Sequence, residues 1–158
     1  MSAEDQPREG RAKLATYSVS ATAESPMRTR VSTRNFEFVI DEPENFGGTD
    51  EGPNPLEYLL GALTGCLNIT GHFVAREMGL EVNGLEINIE GDLNPAKFMG
   101  MSGDSRAGYE VVRVEVIADV DADDETIEAW LEATEARCPV TDNLNHGTPF
   151  EFTFVPQA

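Results

Sequence analysis

Apolar and polar residues alternate through the first third of the chain, then change to a helical rhythm. Over Leu14–Ala23 and Arg28–Ile40 the period is two, and Thr, Val, Ser and Phe are frequent. This predicts two antiparallel strands joined at the Ser25-Pro26 turn. Arg34, Phe36, Phe38 and Ile40 then share one strand face, with a guanidinium in line with apolar side chains. The loop Asp41–Pro53 carries two prolines, three glycines and five acids, and reads as too polar to be core.

From Pro55 the spacing becomes three and four. Leu59, Leu63, Cys66, Thr70 and Phe73 form one stripe, and Leu56, Leu60, Leu67 and Val74 widen the apolar surface nearly all round. Asn54 suits the cap, Pro55 the first helical position and Gly79 a left-handed stop, so one long buried helix is predicted. Glu57, Asn68, His72 and three internal glycines count against a membrane span. Leu85, Ile87 and Ile89 then alternate as a strand, followed by a Gly/Ser/Met-bearing loop to Gly108 and a strand over Tyr109–Val120. The acids of DADDE open a second helix at its dipole-favoured end, with Ile127, Trp130, Leu131 and Thr134 as its buried face. Pro139 ends that helix, and Phe150–Val155 reads as a last strand.

The order β-β-α-β-β-α-β predicts an α+β fold, with antiparallel sheets around a long buried central helix. A small sheet cannot wrap an all-round apolar helix alone, so a dimer that buries the remaining face is expected. The first 12 residues are polar and read as a flexible tail before a single domain over residues 13–158. They have no apolar signal core, so a cytoplasmic protein is expected.

Charge narrows the partners. Asp and Glu number 29 against 11 Lys and Arg, for a net −18. Nucleic acid is excluded, because a phosphate backbone must be met by clustered positive charge. The carboxylates are spread along the chain, as on a surface suited to a salt-rich, halophilic cytoplasm where screening tempers self-repulsion.

Several chemistries find no support in the sequence. There is no G-x-S-x-G for a nucleophilic serine and no C-x-x-C, and His72 and His146 have no ligand-like spacing, so no metal is expected. His72 lies about 240° around the helix from Cys66 and reads as a packed core histidine. No glycine-rich phosphate cradle follows a strand, so no nucleotide cofactor is expected.

The two cysteines remain. A free cysteine is often only a small buried hydrophobe, and a static disulfide is disfavoured in a cytosol. Their settings suggest more. Cys66 follows Gly61, Ala62, Thr64 and Gly65, where a thiol is shielded but approachable, while Cys138 stands where CPV begins a fresh helical turn whose N–H groups favour a thiolate. On the residues alone, Cys138 is the more acidic thiol.

NPLEYLLGALTGCLNI after DEP, then EGDL and CPVTDNL, resemble the osmotically inducible protein C (OsmC) family, which includes the organic hydroperoxide resistance proteins. The resemblance runs from about Arg34 to Phe154. It implies an intertwined α+β homodimer with two active sites at the subunit interface, where a cysteine pair reduces organic hydroperoxides without a cofactor. It makes Cys66 the peroxidatic thiolate and Cys138 the resolving thiol, which a dithiol reductant of lipoyl or thioredoxin type reopens. It also implies an arginine that activates Cys66 and a glutamate that holds the arginine. Arg34, before F-x-F-x-I-D-E-P, is the first candidate and Arg30 the second; the alternative for either is a surface or salt-bridging role. The family's hydroperoxide-resistance members carry the glutamate directly after N-P, where this chain has Leu56, and the carboxylate follows at Glu57. On a continuous helix Glu57 lies about 900° and ~13 Å from Cys66, so it reaches a cysteine only across a dimer or after a helix break. The other reading keeps the fold but not the peroxidase, with a small apolar ligand held in the interface pocket near Cys66.

Overall fold

In the computed structural model, which describes residues 14–156, the chain forms two units, residues up to Asn54 and residues from Pro55 onward. The tail expected over residues 1–12 lies outside the described residues. The fold is α+β, with antiparallel sheets and one long helix.

The first unit is a three-stranded antiparallel sheet in the order β1 (Ser20–Ala23), β2 (Thr29–Thr33) and β3 (Phe36–Ile40). The single strand expected over Arg28–Ile40 is therefore two strands. Thr33 pairs with Phe36 across a turn at Arg34-Asn35, where Arg34 has φ 53. Alternation continues through this turn without a glycine or proline to mark it, which is why the sequence reads as one run. Leu14–Val19, expected as strand, precedes β1 as irregular chain.

The loop after β3 also departs from expectation, because Asp41 is fully buried. Its carboxylate accepts from the Glu42, Thr49 and Glu51 N–H groups at 2.9, 3.1 and 3.1 Å and from the Thr49 hydroxyl at 2.6 Å. Four donors around one buried anion replace the water it has lost, so a polar loop acquires a polar core. Gly48 is required in this tight fold, since a Cβ there would lie 1.7 Å from the Glu42 carbonyl oxygen.

The second unit is built on α1 (Pro55–Met78). Gly79, at φ 73, closes it as the spacing predicts, with Gly79 N–H donating to Arg76 O and Leu80 N–H to Ala75 O at 3.3 and 2.8 Å. Next come β4 (Val82–Leu93) and β5 (Tyr109–Val120), an antiparallel pair with Ile87 opposite Val116 and Ile89 opposite Val114. Asp123 caps α2 (Asp124–Arg137), accepting from Thr126 N–H at 2.8 Å, and α3 (Pro139–Asn145) follows at once.

α1 is less buried than its apolar circumference predicts. Leu63, Leu67, Gly71, Val74 and Ala75 are buried, whereas Leu56, Leu59, Ile69 and Phe73 are exposed. Two strands and two short helices cover one side of a helix, so only one stripe is enclosed. His72 falls outside that stripe and is exposed, its Nδ1 lying 2.9 Å from Asn68 O, rather than packed in the core.

One apolar cluster joins Leu63, Leu67 and Cys138; another joins Val74, Ala75 and Trp130, with Leu80, Val82 and Leu85 packed on it. Trp130 Nε1–H donates to Gly71 O at 2.8 Å, and a Cβ at Gly71 would touch the indole at 3.4 Å. On α2 the buried residues are Trp130 and Thr134, while Leu131 is exposed, contrary to expectation. The last strand expected is also missing: among the described residues, Phe150–Val155 joins no sheet and its three phenylalanines are exposed. Alternation sets a side-chain rhythm, but a strand also needs an edge to pair with.

Candidate active site

The two cysteines, far apart in sequence, meet inside the second unit. Cys66 lies in the middle of α1; the small residues Gly61, Ala62 and Gly65 before it are exposed, and a Cβ on either glycine would meet nothing within 4 Å. Cys138 is held between α2 and α3 by the proline after it, because a residue before proline is pushed out of the helical region; its φ −77 and ψ 113 are extended. It is completely buried, whereas Cys66 is half-buried. Both are free thiols, packed in the Leu63–Leu67 cluster with Ile87, Ile89, Val112 and Leu144.

Their surroundings pull the two thiols apart in acidity. Burial pushes the Cys66 thiol above its usual range and the neighbouring Cys138 sulfur adds to this, outweighing the Val140 N–H and the Thr70 hydroxyl that face it. Burial acts on Cys138 in the same sense. There, however, the Thr141 hydroxyl, the Thr141 and Val140 N–H groups and the Cys66 thiol overcome it and bring its pKa below the ordinary thiol value. The more acidic thiol is therefore Cys138, as its place before a helical turn predicts.

Beside the pair lies a mostly apolar cleft of about 580 Å³. Leu59, Leu63 and Leu67 of α1, Val112 and Val114 of β5, and Leu144 of α3 form much of its wall, with Thr141, Tyr109, Arg106 and Glu135 as polar points. Sequence reading missed Thr141, Thr70 and Tyr109. The signal for Thr141 was its third place in a helix that begins after Cys138, where a side chain turns back toward the cap. The signal for Thr70 was its place four residues after Cys66 on one helical stripe; nothing comparable marked Tyr109.

Of the partners expected for Cys66, Arg34 and Arg30 lie in the first unit and Glu57 at the start of α1. Arg34 is on the β2–β3 turn, not on a strand face, with its guanidinium 5.0 Å from the centre of the Phe36 ring. Arg30, on β2, pairs with Glu24 at 2.7 Å. Both belong to the first unit, and the cysteines to the second. Glu57 stands exposed in the first turn of α1. That helix has no break before Cys66, so helical geometry keeps the two on opposite sides and ~13 Å apart along the axis. Glu57 is close to Tyr109, whose hydroxyl donates to Leu56 O at 3.1 Å; burial first, and the Glu57 charge second, raise the phenol's pKa.

The family model of OsmC-like proteins matches residues 48–153. No curated protein matches the chain. Among solved structures, an OsmC-like protein from Mycoplasma pneumoniae is similar with a TM-score of 0.73 at 19% identity, over 84% of this chain and 89% of that one. An organic hydroperoxide resistance protein from Elizabethkingia anophelis, crystallised with thiocyanate bound, gives a TM-score of 0.63 at 18% identity, over 86% and 91% of the two chains. An organic hydroperoxide resistance protein, OsmC, from Legionella pneumophila gives 0.60 at 17% identity, over 84% and 90%. These likenesses are of fold, and the family match extends from the loop before α1 through α3 and beyond, across both cysteines: the chain belongs to the OsmC-like protein family.

Proposed function

We propose that this protein is a thiol peroxidase that reduces organic hydroperoxides to alcohols in stress defence. The observation that carries this reading is the meeting of Cys66 and Cys138 beside an apolar cleft. Cys138 is the more acidic thiol, but it is enclosed; Cys66 is the one a hydroperoxide can approach, and access selects the nucleophile. Cys66, as thiolate, attacks the terminal peroxide oxygen, the O–O bond breaks and the alkoxide leaves as an alcohol after taking a proton. The sulfenic acid left on Cys66 condenses with Cys138 to a disulfide, and water leaves. A dithiol, of lipoyl or thioredoxin type, then reopens it. No cofactor enters these steps.

Lowering the Cys66 pKa against its burial requires a cation, and Arg34, with Arg30 second, is the proposed source, with Glu57 as the carboxylate that holds it. Because α1 keeps Glu57 on the side opposite Cys66, the reading includes a cytoplasmic homodimer of an OsmC-like domain over residues 13–158. The exposed side of α1, with Leu56, Leu59, Ile69 and Phe73, supports it. Light scattering at high salt is expected to give the mass of a dimer; a monomer removes that part of the proposal.

The cleft also favours a second reading, in which a small apolar ligand is held without turnover. Cumene hydroperoxide with dithiothreitol separates the two. Peroxide loss with matching thiol consumption is expected, and two intact thiols after stoichiometric hydroperoxide would favour the binding protein.

A further inference from the structure

The cleft follows α1. That helix gives it Leu56, Leu59, Leu63, Leu67 and Gly71, at steps of three and four that keep one side turned to the sheet. Trp130 marks one end, where its Nε1–H meets Gly71 O, and Tyr109 the other, where its hydroxyl donates to Leu56 O at 3.1 Å. Between them lie Leu63 and Leu67, which the cleft shares with the cysteine cluster. The rise of an α-helix puts about 15 Å of this wall between the level of Cys66 and that of Leu56.

Tyr109 does not reach its place by simple alternation. Val112, Val114 and Val116 line the cleft as alternate residues of β5, and a regular strand would turn Tyr109, an odd number of residues away, to the other face. The register slips instead: Asp92 is opposite Val111, but Leu93 is opposite Tyr109, so Glu110 is an extra residue and the bulge re-aims the tyrosine beside it. β4 leaves the space that receives it. In its inward row, Leu85, Ile87 and Ile89 are followed by Gly91, where a Cβ would lie 2.5 Å from the Tyr109 ring. Bulge, glycine and hydrogen bond thus fix one aromatic ring at the end of the cleft.

We propose that Tyr109 is a specificity-determining residue: its ring is the end wall against which the tail of a hydroperoxide stops, so that the substrates are hydroperoxides with an unbranched aliphatic tail no longer than the wall from Cys66 to Leu56. This deepens the peroxidase reading and rests on it. The leucines and valines along that wall favour each added methylene, while the phenol that could have met a polar tail is engaged at Leu56 O. Arg106 and Glu110, to either side of Tyr109 in the sequence, bring both signs of charge to the cleft and single out no charged headgroup.

Primary alkyl hydroperoxides from butyl to hexadecyl, kept below their critical micelle concentrations and supplied with dithiothreitol, test this. In wild type kcat/KM is expected to rise about twofold per added methylene, less than full burial gives because the cleft is open on one side, and to stop rising once the tail spans the wall. Tyr109→Ala should extend the rise to longer tails and improve the ratio of hexadecyl to butyl hydroperoxide about tenfold, the discrimination a few methylenes supply. Tyr109→Phe keeps the ring and should keep the wild-type limit. Gly91→Ala pushes the ring off β4 toward α1 and should bring the limit to shorter tails. Binding is read apart from turnover: Trp130 is the one tryptophan of the chain and lines the cleft, so its fluorescence should report the matching primary alcohols with the same limits. If wild type, Tyr109→Ala and Gly91→Ala share one limit, the assignment of Tyr109 is overturned. If wild type leaves every hydroperoxide untouched, the peroxidase reading fails, whereas the alcohol series still decides whether Tyr109 ends the cleft.

Discussion

Cys66→Ser is expected to reduce hydroperoxide consumption to the rate in buffer, because a serine hydroxyl near neutral pH is not a useful nucleophile toward an O–O bond. Cys138→Ser should behave differently. With the enclosed partner gone but Cys66 still half-exposed, about one equivalent of hydroperoxide per site should be consumed in a single turnover. The product should be a sulfenic acid that a dimedone-type probe traps, and further peroxide should over-oxidise it without cycling. Wild type treated without reductant should lose both thiols and form a Cys66–Cys138 disulfide within one subunit, since the two residues pack in one cluster. Mass spectrometry of the three proteins distinguishes these products. Turnover by Cys66→Ser at the wild-type rate would remove the peroxidase reading.

Trp130→Ala is the substitution expected to cost the fold most. The indole is 1% exposed and packs on Val74 and Ala75, with Leu80, Val82, Leu85, Val120 and Ala133 completing the cluster. Removing it leaves a large void between α1, α2 and the two-stranded sheet and deletes the hydrogen bond to Gly71 O. Losses of this kind run to about 3–5 kcal/mol, a large share of the stability of an ordinary domain. Trp130→Phe keeps most of the volume and should lose about 1–2 kcal/mol. Urea unfolding should show the midpoint falling at constant slope. A cost below about 1 kcal/mol for the alanine variant would show that this cluster does not hold the helices on the sheet.

Local punctuation in the sequence was a good guide where the physics is local. Gly79 ends α1 in the left-handed conformation, Pro139 separates α2 from α3, and Tyr109–Val120 is a strand with the expected limits. Other features depend on what the chain meets after folding. Because α1 is apolar nearly all round, its composition cannot say which stripe the sheet covers, and of the stripe read as buried only Leu63 is. Asp41 looked like loop because its four donors come from positions that only the folded loop gathers. For the site, Cys66 and Cys138 stood out by their settings, and the acidity of Cys138 followed from its place before a helix. That the two thiols face each other was implied by the family resemblance, not by their spacing.

The buried Asp41 gives acidification a point of attack inside a loop. The 29 acids carry the chain's excess negative charge. Asp41 is held below the usual carboxylate value by the Thr49 hydroxyl, against the cost of its burial, with the N–H groups of Glu51, Thr49 and Glu42 adding to the effect. A carboxyl depressed on folding contributes its full stabilisation above the unfolded Asp value, and loses it as pH falls through the folded one. Acid strong enough to protonate Asp41 therefore opens the loop from its centre, because the four donors around it lose the anion they enclose.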